Sequence, residues 1–183
     1  MTRLRRWLLL TGVVAGVAAV TLLFAVGLRS GSSPAASPLQ GRGAPDFQLP
    51  GLDGGRHSAV RLSSLRGQVV VVNFWASWCT ECHTEQTALN QTWQRFRNSG
   101  VVLVGVNFQD AAGDARAYAA RAGASYPLVV DRDSRTALAY GLRGIPETFV
   151  VDRHGALVHR LIGPVTAARL AGLVTPLLGE DAR

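Results

Sequence analysis

The sequence predicts an α/β fold with a mixed sheet. Val69-Val70-Val71-Val72-Asn73-Phe74-Trp75 is an unbroken β-branched and aromatic run of strand length, the pattern of a strand covered on both faces. Helical spacing follows it, and strand-like and helix-like segments then alternate toward the C-terminus. The final two strands are separated by Asp152-Arg153-His154-Gly155, so they fold back as a hairpin and make the sheet mixed.

Taken in order, the chain opens with Arg3, Arg5 and Arg6, followed by an uncharged apolar run over residues 7–28. At 1.5 Å per residue, a helix of that run is about 33 Å long, enough to cross a bilayer core. We read residues 1–6 as a basic cytoplasmic N-terminus and 7–28 as a transmembrane signal anchor, because arginines stay on the cytoplasmic side. A cleaved signal peptide competes with a retained anchor, since Ala25-Val26-Gly27 offers a small-x-small cleavage site. The run exceeds the ~7–15 residues of a signal-peptide core. No cysteine lies near it, which excludes a lipoprotein anchor. Residues 29–43, rich in Ser, Pro, Ala and Gly, read as a flexible linker spanning on the order of 20 Å. Residues 44–183 then form one globular domain, held close to the membrane on its extracytoplasmic face, periplasmic or outer.

The formal charge of +7 divides unevenly. Residues 1–43 hold five arginines and no acid, whereas residues 44–183 hold 14 arginines against 12 acids. The excess belongs to the N-terminal segment. The domain has no basic run or aromatic ladder, so nucleic-acid binding has little support.

Within the domain, residues 47–49 and 57–62 read as a hairpin turned by Asp53-Gly54-Gly55. The 69–75 strand leads into a helix over residues 80–98. There Glu85, Leu89, Trp93 and Phe96 recur at three- and four-residue spacings from Cys82 and share its face. A strand over 101–107, a helix over 114–122, a strand over 127–130 and a short helix over 134–140 come next. Strands over 148–151 and 157–162 and a helix from Thr166 close the chain.

Cys79 and Cys82, the only cysteines, fall where the 69–75 strand turns into its helix. A C-x-x-C pair there suits thiol–disulfide chemistry, because free N–H groups and the helix dipole favour thiolate over thiol. Cys79 is then the attacking sulfur and Cys82, one turn in, the resolving one. We expect no cofactor beyond a redox-active Cys79–Cys82 disulfide, and no metal. Other readings share these residues. A structural disulfide is compatible with the spacing. Cys79-Thr80-Glu81-Cys82-His83 also spells the C-x-x-C-H pattern of a haem c protein. Against it, the only methionine is the initiator, so a second axial ligand would fall to His57, His154 or His159. A copper or zinc carrier would use Cys79, Cys82 and His83, with no fourth ligand at local spacing to close a zinc site.

Three segments resemble the thioredoxin superfamily, in its membrane-anchored TlpA/ResA branch, which includes the CcmG (DsbE) proteins of cytochrome c maturation. They are Ala44-Pro45-Asp46-Phe47-Gln48-Leu49, Phe74-Trp75-Ala76-Ser77-Trp78-Cys79-Thr80-Glu81-Cys82, and the stretch from Tyr140 through Gly144-Ile145-Pro146-Glu147-Thr148-Phe149 to Asp152. The resemblance runs over residues 44–179 and implies a thioredoxin-like fold with an N-terminal β-hairpin and an inserted strand–helix element. The Gly-x-Pro-Glu-Thr-Phe block looks most like CcmG. Peroxiredoxins share the Ala-Pro-Asp-Phe opening, but Val72 and Ala76 stand where their Pro-x-x-x-Thr-x-x-Cys signature has Pro and Thr.

The resemblance also implies roles for single residues. Pro146 is expected to be a cis-proline facing the disulfide, with the Ile145 backbone exposed to pair with an extended substrate. Trp78, Ile145, Pro146 and Glu147 are expected to line that groove; an exposed strand-start position is the alternative for Glu147. Glu85 matches the glutamate of CcmG and ResA, and periodicity independently places it on the apolar stripe. A buried carboxyl holds its proton near neutrality and can pass it to and from Cys82. Thioredoxin itself carries a buried Asp where this chain has Asn73, which cannot titrate. Thr80, Glu81 and His83 are expected to tune the pair. The Glu81 charge opposes the Cys79 thiolate, and protonated His83 favours it from farther along the helix. The balance predicts a modestly lowered Cys79 pKa and a low potential, hence a reductant. Implied partners are a transmembrane thiol donor of CcdA or DsbD type and, as substrate, apocytochrome c or haem-ligation proteins. A DsbA-like extracytoplasmic oxidant or general disulfide exchanger is the alternative.

Overall fold

The computed structural model describes residue 7 and residues 12–22, 41–53 and 59–179. The chain divides into two compact units, Met1–Ala36 and Ser37–Arg183. In the first, Trp7 and residues 12–22 are helical. Among the described residues no helix is long and apolar enough to cross a membrane. The basic N-terminus, the rest of the expected 7–28 span and residues 29–40 of the expected linker lie outside the described residues.

In the second unit, β1 (Gln48–Leu49) and β2 (Val60–Arg61) pair antiparallel as the predicted hairpin. Its Gly54-Gly55 turn lies outside the described residues. A 3-10 turn over Leu62–Leu65 leads to β3 (Val69–Trp75) and α1 (Thr80–Phe96). After them come β4 (Val101–Phe108), α2 (Ala112–Arg121), β5 (Leu128–Asp131) and the short α3 (Arg135–Ala139). The chain closes with β6 (Glu147–Val151), β7 (Leu157–Ile162) and α4 (Ala167–Leu178). One five-stranded sheet runs in the order β5-β4-β3-β6-β7, with β3, β4 and β5 parallel and β6 and β7 antiparallel.

The continuous apolar run of β3 follows from its central place. Val70, Val72 and Phe74 pack with Phe47, Tyr140, Phe149 and Leu157 on one face, and Val69 and Val71 with Leu89, Phe96, Leu170 and Val174 of α1 and α4 on the other. Each such side chain contributes about 1.5–3 kcal/mol by leaving water. Most boundaries fall within two residues of expectation. The strand expected over 57–62 is shorter among the described residues, β2 covering only Val60–Arg61 because the chain winds into the 3-10 turn at Leu62. Helix α1 stops at Phe96 rather than residue 98, because the chain turns through Gly100 at φ +82° to start β4.

Residues 41–43, placed in the expected linker, are paired with the start of β7. Gly41 N–H donates to the Leu157 carbonyl (2.8 Å), Leu157 N–H to the Arg42 carbonyl (2.8 Å) and Ala44 N–H to the Gly155 carbonyl (2.9 Å). Gly43 also bridges Ala156 antiparallel. Residues 41–43 therefore satisfy part of the free edge of β7, and composition carries no signal of that pairing. Because β6 and β7 alternate in direction from β3, Leu157 lies at the end of the sheet opposite Trp75. The chain enters the domain at the pole away from its cysteines.

Gly105 on β4 lies under the strand end that leads to the cysteines. A Cβ there would sit 2.6 Å from Leu128 Cδ2 and 3.0 Å from both Trp75 Nε1 and Tyr126 Cε2. Gly105→Ala is therefore expected to lower unfolding free energy by about 1–3 kcal/mol, with the Trp75 ring displaced. Urea melts with an unchanged slope would check it.

Candidate active site

Cys79 and Cys82 form a disulfide with an S–S distance of 2.10 Å and Cα atoms 5.3 Å apart. Cys79 is the N-cap of α1, and its Sγ accepts the Cys82 N–H at 3.1 Å. In the reduced protein that N–H and the helix dipole act on the same sulfur, stabilising its thiolate. The Ala76–Cys79 turn is held from β4's end. Asp110 accepts Ser77 N–H (2.6 Å), Ser77 Oγ (2.8 Å) and Asn107 Nδ2 (2.9 Å). Trp78 is 61% exposed, with its indole N–H donating to the Gln109 carbonyl at 3.0 Å, so its ring is presented beside the disulfide.

Glu85 lies one turn beyond Cys82 and is 1% exposed. Its Oε1 accepts Asn73 Nδ2 at 2.7 Å, and its Oε2 accepts the Val165 N–H at 2.9 Å. Asn73 in turn donates to Thr148 Oγ1 at 3.0 Å. Burial pushes the Glu85 carboxyl up to about 7 despite those two donors. The spacing placed Glu85 on the buried helix face that also carries Cys82, and the structure has it there.

Of the expected tuning residues, Thr80 and Glu81 are exposed on the first turn of α1. His83 is exposed too but is fixed on two sides. Its Nε2–H donates to the Ser77 carbonyl at 2.8 Å, and its ring stacks on Tyr118 of α2, 4.4 Å between centroids at 17°. Tyr118 also lies 5.4 Å from the Trp75 ring. Burial and the Glu85 charge push the Tyr118 hydroxyl up, so it stays neutral. Tyr118 and Asp110 carried no sequence signal, because their roles depend on which side of the sheet α2 and the β4 end return to.

Ile145–Pro146 is a cis peptide bond, as expected, and Ile145 packs against the cluster containing both cysteines. Glu147 corrects an expectation. It neither lines an open groove nor sits exposed, but is 0% exposed. Arg160 Nη2 donates to both its carboxylate oxygens (3.0 and 2.9 Å) and to the Gly141 carbonyl (2.8 Å). The Arg143 N–H adds a longer bond of 3.4 Å to Glu147. The pair thus ties residues 141–146, which carry Pro146, to β7. A buried carboxylate is tolerable only with such a partner, and here the cation comes from the next strand. Among the described residues no group of three His, Cys, Asp or Glu side chains could hold a metal ion.

A model of the AhpC/TSA family matches residues 40–160. The chain belongs to the AhpC/TSA family. Among its relatives, the thiol:disulfide interchange protein DsbE of Allochromatium vinosum is 35% identical over 180 residues, 98% of this chain and 96% of that protein. The thiol-disulfide oxidoreductase ResA of Geobacillus thermodenitrificans is 34% identical over 126 residues, 69% of this chain and 71% of that protein. A crystal structure of a DsbE from Chlorobium tepidum superposes with a TM-score of 0.70 at 34% identity, covering 76% of this chain and 98% of that one. The fold is therefore thioredoxin-like, and this AhpC/TSA member is a thiol–disulfide oxidoreductase of DsbE/ResA type.

Two measurements follow from the buried acids. A folded-state Glu85 pKa above its unfolded value means that the native state binds the extra proton, so this group's contribution falls as pH rises from about 4.5 and levels off above about 7. The total is on the order of 3 kcal/mol. Glu85→Gln should remove that slope in denaturant melts of the oxidised protein. For the ion pair, Arg160→Met should destabilise by about 3–5 kcal/mol by leaving Glu147 buried and unpaired. Adding Glu147→Leu should recover much of that loss in a double-mutant cycle.

Proposed function

We propose that this oxidoreductase is a membrane-tethered extracytoplasmic reductant of disulfides that acts on apocytochrome c during cytochrome c maturation. The observation that carries the chemistry is Glu85, buried one turn behind Cys82 and poised to exchange a proton near neutrality. In the forward step, Cys79 thiolate attacks a substrate disulfide, forming a mixed disulfide and releasing one substrate thiolate, which takes a proton from solvent. The Cys82 thiol then gives its proton to Glu85 and attacks Cys79 Sγ. That closes the Cys79–Cys82 disulfide and releases the second substrate sulfur. Two electrons pass to the substrate.

The exposed Trp78 and the Ile145–Pro146 segment beside the disulfide suit docking of an extended cysteine-containing peptide. The Gly-x-Pro-Glu-Thr-Phe block, similar to that of CcmG, supports apocytochrome c as the source of that peptide. Tethering is supported by the arginine-flanked apolar run and by the alignment with the DsbE of Allochromatium vinosum, which spans 98% of this chain and so includes that run. One redox pair cannot refill itself, so electrons must come from a thiol donor, for which a transmembrane protein of CcdA or DsbD type fits the tether.

The full-length chain, equilibrated in glutathione and dithiothreitol buffers and read by maleimide gel shift, should show a potential at or below about −220 mV. A value near −120 mV would make it an oxidant and overturn the reading. Deleting its gene should abolish covalent haem staining of c-type cytochromes, with recovery on adding external thiol.

A further inference from the structure

Asn73 sits in the middle of β3 with no exposed surface, paired in register with Thr148 on β6. One end of its amide is fully used, since Nδ2 donates to Glu85 Oε1 and to Thr148 Oγ1. The other end, Oδ1, is buried without a partner. An orphaned carbonyl oxygen inside a core is unfavourable and calls for a physical reason.

The arrangement suits ionised Glu85, whose two oxygens both accept. It does not suit neutral Glu85. The Val165 N–H is part of the backbone and keeps its place on Oε2, so the added proton belongs on Oε1, where it meets the Asn73 donor. Turning the amide by half a rotation exchanges its ends. Oδ1 then accepts from the Glu85 O–H and from the Thr148 hydroxyl, which can donate as readily as it accepts. The oxygen that has no partner in one state gains two in the other, while Nδ2 moves to the unpartnered position. The turned amide is therefore the less favourable arrangement and is adopted only when Glu85 carries its proton.

We propose that Asn73 is a two-state positioning residue for Glu85, its amide turning over as Glu85 gains or loses its proton. The proposal rests on the reading of Glu85 as the proton store for Cys82. Asn73 stabilises both forms of the acid, but the ionised one more strongly, because a hydrogen bond to a charge is the stronger of the two. It also carries the protonation state of Glu85 to Thr148, two residues beyond Pro146. The other ionisable groups near Glu85 come from the elements packed around it. Tyr118 of α2 and Tyr126 ahead of β5 are pushed up by burial and by the Glu85 charge. Glu147 on β6 pairs in register with Phe74 rather than Asn73, so it points to the other face of the sheet, where it meets Arg160. Cys82 is tied in the disulfide of the oxidised protein. His83, on the same helix, points to the surface with its ring against Tyr118 and Ser77.

The test is NMR of the oxidised full-length chain in detergent, labelled with 13C-glutamate and 15N-asparagine, across pH 4.5–9. Glu85 should titrate with a midpoint about 7, and the Asn73 side-chain amide resonances should move with the same midpoint. Asn73→Leu should raise the Glu85 midpoint by about one pH unit or more, a tenfold gain in proton affinity. If Glu85 titrates there while the Asn73 amide stays unchanged, or if Asn73→Leu leaves the midpoint in place, the switch is wrong and the role of Glu85 stands. A Glu85 midpoint near 4.5 would sink both. Should Asn73→Leu fail to fold, the paired wild-type resonances decide the matter alone.

Discussion

One carboxyl group, buried behind a disulfide at a helix N-terminus, constrains the rest of this domain. Glu85 can occupy an apolar interior only if donors reach it, and each comes from a different element. Asn73 reaches it from β3 and the Val165 N–H from the turn that leads into α4, while Thr148 on β6 braces Asn73 from behind. The central strand, the antiparallel strand beside it and the entry to the last helix must therefore meet at one point. That point lies a single helical turn beneath Cys82, which is why the geometry is chemical as well as architectural.

The second buried acid is handled the opposite way. Glu147 receives a full counter-charge from Arg160, and the pair anchors the segment that ends in Pro146. Paired charges in a core keep their protonation, whereas a carboxyl met only by neutral donors shifts toward neutrality. Two glutamates of similar burial thus divide into one that holds a loop and one whose carboxyl is pushed up toward neutrality by burial, and the difference is the presence of a cation.

Most of the fold was legible in the chain. The β3 run and the Cys82–Glu85–Leu89–Phe96 stripe are local patterns with a fixed geometric meaning, and both elements appear at the expected places. The cysteine pair and Glu85 were legible for the same reason, since each is positioned by the helix that contains it. The pairing of residues 41–43 with the β7 turn was not, because a Gly-rich stretch gains an ordered place only from the edge it meets. Nor was the state of Glu147. Strand alternation says which face a residue points to, but not whether an arginine from the next strand will be waiting there.

Position along one element, then, is what the sequence determined by itself: a dithiol capping a helix, an acid one turn below it, and a proline block at the start of a late strand. Contacts between elements were decided only in the tertiary structure. They include the Asn73 and Val165 donors to Glu85, the stacking of His83 on Tyr118, the grip of Asp110 on the turn before Cys79, and the Arg160 counter-charge to Glu147. The physical reason is one of range. Backbone periodicity fixes directions over a few residues, whereas a charge or proton held in a low-dielectric core answers to whichever groups the topology brings within about 3 Å of it.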